Sequence, residues 1–418
     1  MSSIIKEFEN NNNLVYTYIC TEEANMRIGI FTDSYYPHIS GVTTSIEMLK
    51  DALEHMGHKV YIVAPSKKYS YDKKNGIIWI PGFKPGFYEI RVAEIYSARA
   101  MKIIEKEWHL DIIHTQTELS IDIFARMVAK KLNIPIVRTY HTLYEDYTYY
   151  VTKGHFDKAA KKLVAKLTKQ LCEKKCDKLI VPTVKIKKLF EDKYNIKKDI
   201  EVIPTGIDVK RFYLTKALKE KSQAIKKQYK IKDDDFIIGS VGRVAKEKSF
   251  DKIIKNLEDI IKQNNKIKFM LVGDGPNLDN LKKLVKSLKL ENYVIFTGLV
   301  EYNDMPAYYN TFDVMVSYST TETQGLTVIE GLAASLPTVC INDSSFREMV
   351  QNNYNGYLFN NGEEFKKYIL NLSYNKELYK TMSMNAKNSI YSYSKEVFAA
   401  NVLKVYHQAL EKKKSSSN

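Results

Sequence analysis

The chain has 418 residues, of which 44% are hydrophobic, and this length predicts two to three domains with large cores. It carries 64 Lys and Arg against 49 Asp and Glu, and a net charge of +15 suits nucleic acid, an anionic membrane or a phosphorylated substrate. No apolar run reaches membrane-spanning length and no signal-peptide pattern opens the sequence, so we expect neither a spanning helix nor a secretory leader. Four scattered cysteines predict buried free thiols in a reducing compartment.

Strand and helix patterns alternate along the first half of the chain. Residues 1–25 are polar without clear periodicity, and we predict a mobile extension there. Apolar runs predict strands at residues 26–33, 59–65, 77–81, 111–114, 134–141, 178–182 and 201–204. Helical spacing predicts helices from residue 43 to a stop at Gly57 and over residues 92–107, 120–132 and 156–175. Strand–helix–strand units of this size predict a parallel sheet.

The same alternation starts again at Phe236. Strands are predicted at residues 236–242, 268–273, 294–297, 313–317, 338–341 and 356–359, and helices at 250–262, 278–288, 363–372, 375–390 and 395–411. We therefore predict an α/β chain with two doubly wound, Rossmann-like domains that face each other across a cleft. Their predicted bounds are 26–205 and 206–393, with a connecting loop over 206–232 and a last helix and tail at 394–418.

The most informative stretch is residues 321–335, where a polar loop follows a predicted strand and apolar residues recur at helical spacing after Gly325. Backbone N–H groups at such a helix start suit an anion, ideally a phosphate. The N–H groups in question belong to Thr323, Gln324, Gly325 and Leu326. Glu322 and Glu330 should repel a phosphate, so we expect them to bind hydroxyls on either side of it. A sugar nucleotide has this layout of sugar, diphosphate and ribose.

Two further loops could bind the same diphosphate. Arg243 and Lys248 bracket the loop after the first strand of the second domain, where an Arg fork and a Lys charge can stabilise a leaving group without a metal. Ser40 and Gly41 follow the first strand of the N-terminal domain. Small residues there let the next helix present its amides to the diphosphate from the opposite side.

Polar residues also follow a strand end near residue 140. His141 is predicted to lie in the cleft, although a lone histidine is more often structural. Tyr144, Glu145 and Asp146 in the same loop are predicted to line an acceptor pocket, and Asp33 could reach the cleft from the first strand.

Residues 233–235 are three aspartates and formally contain the metal-binding pattern D-x-D. They precede a strand and so fall at the opposite edge of the sheet from the carboxyl ends of the strands, where the ligand is expected. We predict a solvated turn there, and neither a metal nor a cofactor.

Taken in order, these pieces resemble glycosyltransferase family 4, whose members are retaining enzymes of the GT-B fold. The resemblance covers residues 26–410 and rests on the E-x7-E pattern of Glu322 and Glu330 and on the basic loop at 242–249. Gly41 departs from the pattern, because many members have two glycines in that loop. Residues 26–33, 114–118 and 138–147 resemble the bacterial 1,2-diacylglycerol 3-glucosyltransferases.

The resemblance implies roles for the site residues. Arg243 and Lys248 would hold the donor diphosphate, Glu322 would orient sugar hydroxyls, Glu330 would bind the ribose, and His141 would lie near the sugar. The family also implies that loops carrying Gly275 and Val300 surround the base, and that the last helix crosses back to the N-terminal domain. Attack from the front face, with the leaving phosphate oxygen as base, needs no enzyme nucleophile.

The resemblance further implies transfer of glucose from UDP-glucose to diacylglycerol, giving α-glucosyl diacylglycerol. The enzyme would be cytoplasmic and bound peripherally to the anionic inner face of the plasma membrane. The basic predicted helix at 156–175 could supply that contact, or it could simply solvate its lysines on a domain surface. Two alternatives stay open: the same chemistry on a soluble or polyprenyl-linked glycan, and a basic nucleic-acid-binding protein, for which no motif is found.

Overall fold

The computed structural model describes residues 3–8, 16–21, 25–37, 40–84, 91–141 and 157–417. Strands β1 (Ser3–Phe8) and β2 (Tyr16–Thr21) pair antiparallel as a separate two-stranded sheet. The sequence analysis placed the first strand at residue 26 and missed these two strands, whereas the predicted mobility of residues 1–25 stays a prediction. The first segment contains Ile4, Ile5 and Phe8 and the second contains Tyr16, Tyr18 and Ile19, which favour strands, although the surrounding polar residues hide the pattern.

The N-terminal domain contains a sheet of nine strands. The strands are β3 (Arg27–Phe31), β4 (Lys59–Ser66), β5 (Ser70–Asp72), β6 (Ile77–Phe83), β7 (Val92–Ala93), β8 (Ile112–Thr115), β9 (Ile136–Thr139), β10 (Lys178–Val181) and β11 (Ile200–Val202). Their order is β11-β10-β9-β8-β3-β4-β6-β5, with β7 beside β6, and only β5 and β7 run antiparallel to their neighbour β6. The described helices of this domain are α1 (Gly41–His55), α2 (Ala98–Ile103), α3 (Ser120–Leu132), α4 (Asp157–Lys174) and α5 (Val184–Lys188).

The C-terminal domain has a fully parallel sheet of six strands in the order β14-β13-β12-β15-β16-β17. These strands are β12 (Phe236–Val241), β13 (Ile267–Val272), β14 (Val294–Gly298), β15 (Val314–Ser317), β16 (Thr338–Ile341) and β17 (Gly356–Phe359). The helices are α6 (Lys216–Gln228), α7 (Phe250–Gln263), α8 (Leu278–Ser287), α9 (Met305–Tyr309), α10 (Leu326–Ala333), α11 (Gly362–Tyr374), α12 (Lys376–Ser389) and α13 (Lys395–Ser417). The strand order reverses between β12 and β15, and loops at such a switch point form the ligand crevice of doubly wound folds.

The last helix, α13, packs on the N-terminal domain and not on the domain that precedes it. Its buried residues Phe398, Val402 and Tyr406 share a core with Ile46 and Leu49 of α1. At its start, the ammonium of Lys395 lies 2.6 Å from Asp51 of α1 and 3.3 Å from Asp208 of the interdomain linker. The expected crossing helix is confirmed, and it ties the two domains together.

Two further sequence predictions were wrong in detail. The helix expected over residues 92–107 begins only after Ser97, which caps α2, because Val92–Ala93 instead pairs with β6 as a short strand. The loop expected over residues 206–232 contains α6, which Thr215 caps. Only Ser222 and Ile225 are buried on that helix, and its many lysines hide the apolar spacing.

Cys172, Cys176 and Cys340 are buried free thiols, as predicted, and the reducing compartment stays a prediction. None of the described helices combines the length and the apolar character that a membrane crossing requires.

Candidate active site

The predicted strand, polar loop and helix around residues 313–335 are confirmed as β15, a loop and α10, and the candidate site is built around this loop. Gly325 ends it in the left-handed region at φ +88°, and a Cβ there would fall 2.6 Å from the ring of Phe346. Any other residue would therefore be strained and would collide with the core. The first backbone N–H groups of α10 have no carbonyl partner within the helix, so they can donate hydrogen bonds to an anion.

The N-terminus of α1 lies opposite the N-terminus of α10. Ser40 caps α1 by accepting a hydrogen bond from the Thr43 amide at 3.3 Å, and Gly41 is the first helical residue. A Cβ on Gly41 would lie 3.6 Å from Leu326 Cδ1, the first residue of α10. Because both helices carry partial positive charge at these ends, the gap between them favours a diphosphate.

Glu322 is paired with Lys248 in the free protein. The Lys248 ammonium donates to Glu322 Oε1 at 2.5 Å, and both side chains are largely enclosed. Burial alone would raise the pKa of Glu322, but Lys248, Ser319 and Lys185 together hold it below its ordinary value. Glu322 is therefore an ionised acceptor at neutral pH, which suits hydrogen bonds from sugar hydroxyls.

Lys185, from α5 of the N-terminal domain, holds the same loop from the other side of the cleft. Its ammonium donates to the backbone oxygens of Thr320 at 3.1 Å and Glu322 at 3.3 Å, and to Asp343 Oδ1 at 2.8 Å. The neighbouring Thr183 hydroxyl donates to the Thr323 oxygen at 2.9 Å. Sequence reasoning missed Lys185, because nothing distinguishes it from the other lysines nearby.

Gln324 joins the two domains. Its side-chain oxygen accepts from the Thr205 amide at 2.8 Å, and its Nε2 donates to the Thr205 oxygen at 3.0 Å. Only 4% of Gln324 is exposed. Both ends of this buried side-chain amide are therefore paired to the interdomain linker, and the donor contact expected of the Gln324 backbone N–H stays a prediction.

Glu330 lies on the inward face of α10. The Tyr309 hydroxyl donates to Glu330 Oε2 at 2.6 Å. Burial raises the pKa of Glu330 to about 7, against the opposing influence of Tyr309 and of the Arg211 guanidinium. Arg211 lies over the ring of Tyr302, 4.1 Å from its centroid. Tyr309 and Arg211 carry no sequence pattern that would have identified them as neighbours of this carboxylate.

The basic loop after β12 is held in place by the next loop. The Val244 amide donates to the Asp274 oxygen at 2.8 Å, and a Cβ on Gly275 would lie 2.6 Å from the Val244 oxygen. Gly275 therefore permits the close approach of these two loops. Arg243 is 43% exposed on its side chain and its guanidinium lies 2.5 Å from Glu247 Oε1. Val300, predicted to lie beside the base, is partly buried after β14.

In the N-terminal domain, His141 follows β9 and is partly buried. Its Nε2 lies 2.6 Å from Gln116 Oε1, and burial lowers the pKa of His141 to about 4. Tyr144, Glu145 and Asp146 lie outside the described residues, so their predicted acceptor role stays a prediction.

Asp33 does not lie on the cleft surface, with 2% of the residue exposed. Its carboxylate accepts hydrogen bonds from the start of α3: Ser120 Oγ at 2.6 Å, the Ile121 amide at 2.9 Å and Thr117 Oγ1 at 2.8 Å. The prediction that Asp33 could reach the cleft was therefore wrong, because its carboxylate caps α3.

The aspartates at 233–235 form the turn before β12. Asp234 lies 2.8 Å from Lys266 and Asp235 lies 2.6 Å from Lys268, on the edge of the sheet away from the candidate site. Within the described ranges, no three His, Cys, Asp or Glu side chains are grouped so that they could hold a metal.

This fold and site define the class of GT-B glycosyltransferases. Residues 39–211 match the model "Glycosyltransferase Family 4" and residues 221–389 match "Glycosyl transferases group 1". The crystal structure of HepE from Anabaena, in complex with UDP, superposes with a TM-score of 0.71 at 16% identity, covering 92% of this chain and 100% of that one.

Two curated proteins are similar over most of their length. The α-monoglucosyldiacylglycerol synthase of Acholeplasma laidlawii is 38% identical over 94% of this chain and 100% of its own. The synthase of the same name from Streptococcus pneumoniae is 33% identical over 92% of this chain and 86% of its own. The chain belongs to glycosyltransferase family 4, and it is a glycosyltransferase.

Proposed function

We propose that this enzyme transfers glucose from UDP-glucose to 1,2-diacylglycerol with retention of configuration, giving α-glucosyl diacylglycerol. The observation that carries the donor assignment is the meeting of two helix N-termini, at Gly41 and Leu326, with Lys248 paired to Glu322 in the loop that precedes Leu326. The HepE structure was solved with UDP at a fold of the same kind, which supports a UDP-sugar donor.

The proposed donor pose follows from the charges. The diphosphate lies between the N-termini of α1 and α10, and Arg243 and Lys248 stabilise the charge that develops on the leaving group. Glu330 accepts the ribose hydroxyls, and Glu322 orients the sugar. The acceptor hydroxyl attacks the anomeric carbon from the face that the phosphate leaves, and the leaving phosphate oxygen takes its proton.

Lys248 has one anionic partner in the free protein and a second one when the donor binds. In the free protein its ammonium neutralises Glu322 at 2.5 Å. When the diphosphate binds, the ammonium can interact with both anions, since a Lys ammonium has three donors. This arrangement holds an ionised carboxylate beside a phosphate site without a metal.

The acceptor assignment rests on the two named relatives, both of which are called α-monoglucosyldiacylglycerol synthases. A membrane acceptor also fits the exposed face of α4. On α4, Leu167 is 49% exposed and follows exposed Lys166, with exposed Lys162 one turn earlier, a pattern that suits a peripheral contact with anionic headgroups. We therefore propose an enzyme at the cytoplasmic surface of the plasma membrane.

The test is a donor and acceptor screen. The purified enzyme is incubated with radiolabelled UDP-glucose and vesicles that contain diacylglycerol and an anionic phospholipid, and label is measured in the lipid extract. We expect label in that extract only when diacylglycerol is present, and less with UDP-galactose. Transfer to a soluble or polyprenyl-linked glycan in place of diacylglycerol would overturn the acceptor. Binding of DNA or RNA that resists salt, with no transfer, would favour the nucleic-acid alternative.

A further inference from the structure

A buried chain of polar side chains runs from the crossing helix α13 to His141. Tyr406 of α13 lies with its hydroxyl 2.7 Å from His114 Nδ1, and Thr139 Oγ1 lies 2.7 Å from His114 Nε2. Both ring nitrogens of His114 are thus engaged inside the sheet, where the residue is fully buried. Burial, with the charges of His141 and Arg138, lowers the pKa of His114 to about 3, so the ring is neutral.

The neutral His114 ring determines how Gln116 is oriented. Gln116 Nε2 lies 3.2 Å from both His114 ring nitrogens. An atom in the ring plane at equal distance from both nitrogens would collide with the carbon between them, so the amide nitrogen lies over the ring face. An N–H group over a neutral aromatic face is attractive, and a carbonyl oxygen there is not. The NH₂ end of Gln116 therefore faces His114, and its oxygen faces away.

That oxygen lies 2.6 Å from His141 Nε2. A carboxamide oxygen can only accept, so His141 must carry a hydrogen on Nε2. A neutral imidazole has one N–H, which leaves the lone pair on Nδ1. Gln116 thus decides that the free ring nitrogen of His141, Nδ1, is a hydrogen-bond acceptor and not a donor.

We propose that Gln116 is a positioning residue that holds His141 in the Nε2–H tautomer, so that His141 Nδ1 accepts a hydrogen bond from a hydroxyl of the donor sugar. The sugar contact rests on the proposed function, whereas the tautomer does not. Gln116 acts through His141 and does not itself touch the substrate. Gln116 is itself oriented by buried His114, which contacts Tyr406 of the crossing helix α13. This helix therefore helps to fix the tautomer of His141.

The tautomer can be measured without substrate. The chain has eight histidines, so protein with ¹⁵N-labelled histidine gives a tractable set of ring signals, and His141→Gln assigns the one of interest. We expect the His141 ring at neutral pH to be protonated on Nε2 alone. Protonation on Nδ1 alone, or an even mixture of tautomers, would overturn the proposal even if the enzyme transfers glucose as proposed.

Two variants of Gln116 test the consequence for turnover. Gln116→Ala removes the acceptor, and we expect kcat to fall about three- to tenfold while UDP affinity, which does not depend on the sugar, stays unchanged. Gln116→Glu places a carboxylate against His141 Nε2 and favours the imidazolium, in which Nδ1 can no longer accept. Its kcat should therefore fall as pH is lowered, at a pH where the wild type is still fully active.

The control is Gln228→Glu, the same change on the exposed end of α6. It should keep the wild-type pH profile. Arg138, whose charge acts on His114, is buried against Asp122 at 2.5 Å, and both are unchanged in all variants. Identical pH profiles for Gln116→Glu and wild type would contradict the positioning role. Failure to transfer to diacylglycerol with an intact Nε2–H tautomer would contradict only the proposed function.

Discussion

Replacing Lys248 by Met tests the electrostatics of the site most sharply. Met keeps a similar length and removes the charge that lies 2.5 Å from Glu322. A hydrogen bond to a charged group contributes about 1.5–3 kcal/mol, so losing the contact to the diphosphate should lower kcat/KM roughly tenfold to a hundredfold. The matched control is Lys246→Met in the same turn, whose side chain is exposed and has no proposed role.

The same variant should change the pH dependence. Lys248 is the strongest of the groups that lower the pKa of Glu322 against the effect of burial. Without Lys248 that pKa should rise, and the acidic limb of the kcat/KM profile should move to higher pH. A lowered pKa stabilises the folded protein above the ordinary carboxyl value of 4.5 and stops doing so as pH falls through the folded value. Lys248→Met should therefore be less stable than wild type at neutral pH, and the difference should shrink in acid.

The assays are initial-rate kinetics with UDP-glucose over a range of pH, and urea unfolding of the free protein. Stability of the double variant Lys248→Met with Glu322→Gln completes a cycle, and we expect Glu322→Gln to cost less when Lys248 is already absent. Near-wild-type kcat/KM in Lys248→Met, or an unmoved acidic limb, would refute this account of the pair.

Three other predictions concern separate parts of the molecule. The pKa of Glu330 is about 7, so UDP-glucose affinity measured by calorimetry should rise from about pH 6 to about pH 8 as the carboxylate ionises, and Glu330→Gln should bind more weakly with a flat profile. Because that pKa is raised, the ionised form is disfavoured in the fold, and wild-type stability should fall as pH rises from 4.5 to about 7. Lys185→Met should lower kcat several-fold by loosening the loop at Thr320 and Glu322, and unchanged kcat would show that the interdomain contact is incidental. Changing Lys162, Lys166 and Lys169 to Glu should abolish sedimentation with anionic vesicles at low salt while UDP affinity stays the same, and undiminished sedimentation would remove α4 from the membrane contact.

The fold could be predicted well, because each β-α unit carries its own apolar spacing and the units repeat in order. The positions of β12, β13, β15 and their following helices came from local patterns that burial confirms. The prediction failed where buried positions are few, as in α6, whose described buried residues are only Ser222 and Ile225. It also failed where a segment pairs with a strand that sequence spacing does not reveal, as at Val92–Ala93.

The site was predictable where chemistry and position coincide within one loop. Glu322 meets Lys248, as the order of the loops at the sheet edge implied, and Gly325 forms the turn into the helix that the spacing predicted. Lys185 and Tyr309 could not be predicted in this way, because their partners lie on elements that only the folded chain brings close. The contact of the Gln324 side chain with the interdomain linker could not be predicted either, because Thr205 is far from Gln324 in the sequence.

The configuration of the product tests the central claim most directly. Diacylglycerol vesicles are incubated with UDP-glucose and the enzyme, the glycolipid is extracted, and the coupling of its anomeric proton is measured by NMR. In the free protein Glu322 is held by Lys248, and in the proposed mechanism the leaving phosphate oxygen, not an enzyme side chain, activates the acceptor. We predict an α-linked glucosyl diacylglycerol from the α-linked donor, and a β-linked product, or no lipid product, would contradict the account.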